Sequence, residues 1–209
     1  SLFGANNCSR AMINTPAVLI SEVGPRDGLQ SVKAVMSTAD KFRWIDALVA
    51  SGLREIEVWS FVPAKYLPQM ADAADVVRHL LTYQEVTAMA LVPSMRGAES
   101  ALRAGVHKIT IPVSASAAHS LANVRKTRED MVEEARAICQ LRADTAPHVV
   151  VEVGMSTAFG CTLQGEVAED DVVWLANALV AAGVDEVGLS DTAGMANPAQ
   201  VRRLFTRLH

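Results

Sequence analysis

Short β-branched, apolar runs alternate along this chain with longer stretches in which apolar residues recur every three or four positions. The first pattern is that of strands covered on both faces, the second that of helices with one buried stripe. It predicts strands at about 17–23, 54–59, 85–91, 107–112, 148–154 and 186–190. Helices are predicted between them, at about 38–51, 69–82, 95–104, 127–142, 168–182 and 198–208. The segment from 168 carries Glu169, Asp170 and Asp171 at its start, where acidic groups suit the helix dipole, and a stripe of Val172, Leu175, Ala176 and Leu179. Ser51-Gly52-Leu53, Ala104-Gly105-Val106 and Ala182-Gly183-Val184 repeat one closing pattern, a glycine cap followed by a strand. Six strand-helix units without a Pro/Gly/Ser-rich linker imply one domain, at 16–209, built on a parallel sheet with helical crossovers. Residues 1–15 read as a flexible leader.

Two architectures share that pattern, and the first turn separates them. A doubly wound sheet usually carries a glycine-rich phosphate loop after its first strand; here the turn is Gly24-Pro25-Arg26-Asp27-Gly28, without that spacing. An α/β barrel instead spreads polar residues over the C-terminal ends of several strands. Arg26, Asp27 and Gln30 follow the first expected strand, Glu57 and Ser60 the second, Ser114 and Ser116 the fourth, Ser156 and Thr157 the fifth, and Asp191 and Thr192 the sixth. The expected fold is therefore a TIM (β/α)8 barrel, of which about six units are present. The run Ala17 to Val23 reads as a buried strand that delivers Arg26 and Asp27 to the reactive face.

With 209 residues, half of them hydrophobic, the chain buries a large core without disulfides or a structural metal. A net charge of -4 and scattered basic residues exclude a nucleic-acid surface and favour small-molecule chemistry. Cys8, Cys139 and Cys161 have neither disulfide-framework nor zinc spacing, which points to a reducing, cytoplasmic compartment. No apolar run approaches the roughly 20 residues that cross a bilayer, so no membrane association is expected.

EVGPRDGLQ at 22–30, EVWSFVPAKYLPQMAD at 57–72, MSTAFGCTLQGEV at 155–167 and LSDTAGMANP at 189–198 resemble, in order and spacing, the hydroxymethylglutaryl-CoA lyases, TIM-barrel metallolyases. The resemblance implies carbon-carbon cleavage of 3-hydroxy-3-methylglutaryl-CoA, or a related 3-hydroxyacyl-CoA, to acetoacetate and acetyl-CoA. It implies a divalent cation, Mg²⁺ or Mn²⁺, with Asp27 as a ligand. Arg26 matches the arginine that stabilises the enolate oxygen. Glu57 and Asp191 match acidic residues near the substrate and complete the catalytic set with Arg26. Gln30, Ser116, Asn123 and Thr192 are the substrate-binding candidates. An acyl-CoA partner and a homo-oligomer, dimer or higher, follow from the same resemblance. A related aldolase or Claisen-type acyltransferase, or a non-catalytic partner subunit, would fit the same barrel.

Plainer readings stand beside these. Glu57 could satisfy a partner inside the barrel, Asp191 could cap a turn, and loop polarity alone could supply Ser116 and Asn123. Cys161 reads as structural, and no His-x-His pair is present. Trp59 stands where the family has a small hydroxyl and is expected to reshape the acyl pocket. Gly154 stands where a tyrosine is often found, and Gly188 and Ser190 exchange the family's serine and glycine. Six units do not close an eight-stranded barrel, and the family's His-x-His ligands would lie past His209. A truncated part of a longer enzyme is the expectation.

Overall fold

The computed structural model describes residues 18–61, 65 and 67–209. The expected leader and Cys8 lie outside them. Six parallel strands form a half-barrel: β1 (Ser21–Glu22), β2 (Glu55–Ser60), β3 (Thr87–Leu91), β4 (Lys108–Ser114), β5 (Val150–Ser156) and β6 (Glu186–Leu189). They neighbour one another in chain order, each step parallel, as successive βα units winding in one direction require. The helices are α1 (Thr38–Ala50), α2 (Ala73–Leu80), α3 (Met95–Ala104), α4 (Ala117–Val124), α5 (Arg128–Thr145), α6 (Glu169–Ala181) and α7 (Pro198–Leu208).

Local chemistry fixes the helix ends. Ser37, Ser94 and Asn197 accept backbone N–H bonds as N-caps of α1, α3 and α7, and Thr127 with Asp130 forms a capping box on α5. Gly52, Gly105 and Gly183 take positive φ values of 98°, 81° and 100°, so the three closing patterns are left-handed turns back into the sheet. The α6 stripe is buried as expected, with Val172, Leu175 and Leu179 fully covered. One helix went unread in the sequence: α4, eight residues long, is held at its start by Ser116, whose Oγ accepts from His119 N.

The core lies between the outer face of the strands and the helices, and alternation along each strand turns the other set of side chains into the concave face. β2 breaks that alternation. Its register with β3 slips between Glu57 and Trp59, a bulge that places both Val58 and Trp59 against Pro25, Trp44 and Ile45 on the helix side. Ser60, two residues beyond Val58, then faces inward with Glu55 and Glu57. Trp59 packs edge-on to Phe61 at 5.5 Å between ring centres. The expectation that Trp59 reshapes the acyl pocket is therefore corrected: the bulge sends it into the outer layer.

The first strand also differs from expectation. Its ordered pairing is confined to Ser21 and Glu22, and Val18, Leu19 and Ile20 are 85%, 61% and 66% exposed. A strand is buried by neighbours on both sides, and among the described residues β1 pairs with β2 alone. The half-barrel likewise leaves β6 paired only to β5.

Candidate active site

The chain leaves β1 through a single π-helical turn, Gly24–Gly28, in which Arg26 N and Asp27 N both donate to Val23 O, at 3.1 and 2.7 Å. A Cβ at Gly24 would sit 2.7 Å from Glu22 Oε1 and 3.1 Å from the Trp44 ring, so a larger residue there would displace the Glu22 carboxylate. Pro25 is buried beneath the turn. The following two side chains are thereby fixed at the C-terminal mouth of the sheet, the face on which such barrels do their chemistry.

Arg26 bridges two carboxylates of opposite character. Its Nε and Nη2 reach Glu57 Oε2 at 2.7 and 2.5 Å, and its Nη1 donates to Asp27 Oδ1 at 2.9 Å. Glu57 is 2% exposed while Asp27 is 57% exposed, so the guanidinium ties a buried anion to one facing solvent. Gln30 Nε2 donates to the same Asp27 oxygen at 3.3 Å. Burial pushes the Glu57 carboxyl up, the Arg26 guanidinium pulls it back, and the like charges of Glu152 and Asp27 push it up again. It ends above the ordinary glutamate range, with burial the largest cause.

These residues line a concave cavity of about 960 Å³ that runs the length of the inner sheet face. Arg26, Asp27, Gln30, Glu57, Asn123 and Thr192 all border it, so six of the eight sequence candidates converge on one space. The other two do not join them. Asp191 accepts from Met195 N at 2.9 Å and Ala196 N at 3.2 Å, which occupies both of its oxygens in the turn ahead of α7. Ser116 is fully buried, donating to Gln164 Oε1 at 2.9 Å while capping α4. Both expectations are corrected for the same reason: short polar side chains beside backbone N–H groups bond locally before they reach a ligand. Thr192 lines the cavity, but its Oγ1 also accepts from Thr157 N at 2.8 Å. Thr157 holds a left-handed backbone at φ 59°, unusual for a β-branched residue, and its Oγ1 accepts from Ser116 N. The ends of β4, β5 and β6 are thus cross-braced behind the mouth.

Cys161 is fully buried in a tight loop closed by mutual backbone bonds with Gly165, as a structural cysteine should be. Burial raises its thiol, but the Ser116 hydroxyl and the Gln164 and Leu163 backbone lower it more.

Opposite the mouth lies a second charge cluster that sequence reasoning missed. Lys108 Nζ stands 2.6 Å from Glu186, 2.8 Å from Glu152 and 3.5 Å from Glu55. Burial pulls this ammonium down, yet hydrogen bonds from it to Glu152 and Glu186, and the charges of Glu152 and Glu55, hold it above the ordinary lysine range. The signal was available: four strands each carry a charged residue at or near the N-terminal end of an otherwise apolar run.

Mg²⁺ and Mn²⁺ take about six oxygen donors in near-octahedral order. Asp27 offers one exposed carboxylate, but among the described residues no group of three or more His, Cys, Asp or Glu side chains could hold a metal ion. The described donors therefore do not complete the site expected at Asp27. Among the same residues, no helix is long and apolar enough to cross a membrane.

Known proteins resemble this chain in sequence and fold. A hydroxymethylglutaryl-CoA lyase of Bacillus subtilis is 38% identical over 192 residues, covering 91% of this chain and 63% of that protein. A Pseudomonas aeruginosa protein named 3-hydroxy-3-isohexenylglutaryl-CoA/hydroxy-methylglutaryl-CoA lyase is 40% identical over 188 residues, covering 90% of this chain and 62% of its own. The crystal structure of hydroxymethylglutaryl-CoA lyase from P. aeruginosa matches with a TM-score of 0.85 at 38% identity, over 91% of this chain and 63% of that one. This chain thus spans a little over six-tenths of the length of these relatives. The model of the HMGL-like family matches residues 17–209. On that match and these identities, the chain belongs to the HMGL-like family.

Proposed function

We propose that this chain carries the catalytic mouth of a carbon-carbon lyase that cleaves a 3-hydroxy-3-methylglutaryl-CoA-type thioester. The observation that supports this most is the Arg26 bridge between buried Glu57 and exposed Asp27 at the C-terminal edge of the sheet. Glu57 takes the proton of the C3 hydroxyl, whose oxygen becomes a carbonyl as the C2–C3 bond breaks. The bonding pair moves into the thioester as an enolate, and C2 recovers the proton from Glu57. Acetoacetate and acetyl-CoA leave when the C3 substituent is methyl.

The bridge couples these events. Protonation of Glu57 removes the counter-charge from Nε and Nη2, and the enolate oxygen forms as that positive charge is released. A fixed guanidinium in a poorly solvated wall needs little reorganisation to meet it. Gln30 and Asn123 border the acyl group, and a divalent cation at Asp27, with donors beyond the described cluster, would add acidity to the C3 hydroxyl. The names of the relatives support a substrate of this class and also span two C3 substituents, methyl and isohexenyl.

Acetoacetate release from 3-hydroxy-3-methylglutaryl-CoA, followed in a coupled assay with Mg²⁺ or Mn²⁺, tests the reading. Arg26→Lys keeps a charge but loses the fork that spans both carboxylates. It should retain its circular dichroism and lose on the order of 100-fold in turnover. Equal turnover by the variant would remove Arg26 from the mechanism, and no thioester cleavage by the parent chain would remove the activity from this chain.

A further inference from the structure

The inner face of β4, β5 and β6 contains one row almost without side chains. Pro112 pairs in register with Gly154, and Gly154 with Gly188. The row below is Thr110, Glu152 and Glu186; above it stand Ser114, Ser156 and Ser190. Pro112, Gly154, Ser156 and Ser190 border the same cavity as Arg26 and Glu57.

Backbone geometry does not demand these glycines. Neither has positive φ. A Cβ at Gly154 would meet only Thr110 Cγ2, at an ordinary 3.6 Å, and one at Gly188 would meet Glu152 Oε1 at 3.4 Å. A larger group at Gly154 would grow into the cavity. Glycine inside a strand weakens it, and where no turn or bulge calls for it, it marks a place another molecule approaches closely. A second observation comes from Thr110, which borders both the row and the cavity. It is 8% exposed, and its Oγ1 is buried without a hydrogen-bond partner. Buried hydroxyls are rarely left so, and a water or a ligand completes them.

We propose that the Pro112-Gly154 end of this row receives the substituent on C3 of the substrate, that this substituent is larger than methyl, and that the Thr110 side chain turns its enclosed hydroxyl toward the bound substrate to bond an oxygen near C3. This rests on the lyase reading above and names its substrate class more narrowly. Removing side chains from two adjacent strands sets the size of the group admitted, and the Thr110 methyl and Pro112 ring make the wall apolar.

Calorimetric binding of 3-hydroxy-3-methylglutaryl-CoA and 3-hydroxy-3-isohexenylglutaryl-CoA tests it, with cleavage of each measured in parallel. The parent chain should bind the isohexenyl thioester about tenfold more tightly or better. Gly154→Val should abolish that preference, and Gly154→Ala should move it part of the way, which keeps the test alive if valine disturbs folding. Thr110→Val should weaken both thioesters alike. A parent preference for methyl, or a ratio that Gly154→Val does not move, would overturn the assignment. Cleavage of both without discrimination would overturn it too, yet leave the lyase reading standing. The expected binding pattern without cleavage would sustain the row and sink the lyase reading, and no binding of either thioester would sink both.

Discussion

Arg26 and Lys108 are cations set in the wall of one cavity, and their surroundings part them. Lys108, 7% exposed, is ringed by three glutamates contributed by β2, β5 and β6, and every direction its ammonium offers is taken. Arg26 has two carboxylates, one of them turned to solvent, and sits on a strand-end turn rather than within a strand. A compact ammonium surrounded by anions is a fastening. A planar fork with one partner at the mouth is able to exchange that partner for an incoming anion. Charge and burial alone would have ranked the two sites equally; the exposure of Asp27 distinguishes them.

The strongest way to test that contrast is Lys108→Met. It leaves Glu55 and Glu152 facing each other in a poorly solvated wall without their cation, and removal of one partner from a buried pair costs about 3–5 kcal/mol. Urea unfolding should show a loss of that order, and an unchanged midpoint would mean that the ring is not a fastening. A smaller effect is expected at Asp191→Ala, which frees two backbone N–H groups at the turn before α7. Such caps are worth about 1 kcal/mol, so thermal unfolding should shift modestly while turnover stays near the parent's. A drop in turnover on the order of 100-fold would return Asp191 to the chemistry.

The subtlest effect lies in the pH dependence of Glu57. Its carboxyl is raised in the folded chain, so between its unfolded and folded values the native state holds the extra proton. The stability this group contributes is therefore lost as pH rises through the folded value. Glu57→Gln escapes that loss. Its melting temperature relative to the parent should climb as pH rises above the ordinary glutamate range, and a flat difference would show that Arg26 fully compensates the burial.

Much of this fold was legible because its signals are local. Strands β2 to β6 and the three glycine-closed helices follow from apolar runs and capping chemistry that each segment carries within itself. The failures all involve neighbours. Val18, Leu19 and Ile20 are apolar enough to be buried, but burial depends on what pairs beside them. Trp59 was expected in the acyl pocket because the family has a small hydroxyl at its position, and a one-residue bulge against β3 turns it into the outer layer instead. At the site, Arg26, Asp27 and Gln30 were readable because the turn places them together in sequence. Glu57 drew notice because it falls on the second strand within a block, EVWSF, that resembles the family's. Asp191 and Ser116 look the same as ligands and as caps until the positions of Met195 N, Ala196 N and His119 N are known.

The bulge at Val58 carries a consequence for how this wall could change over time. Because the extra residue sits there, deleting Val58 would restore strict alternation while leaving Trp59 turned outward and Ser60 turned inward. A single codon lost would thus take one apolar side chain from the outer layer and leave every residue that faces the space in front of Glu57 in place.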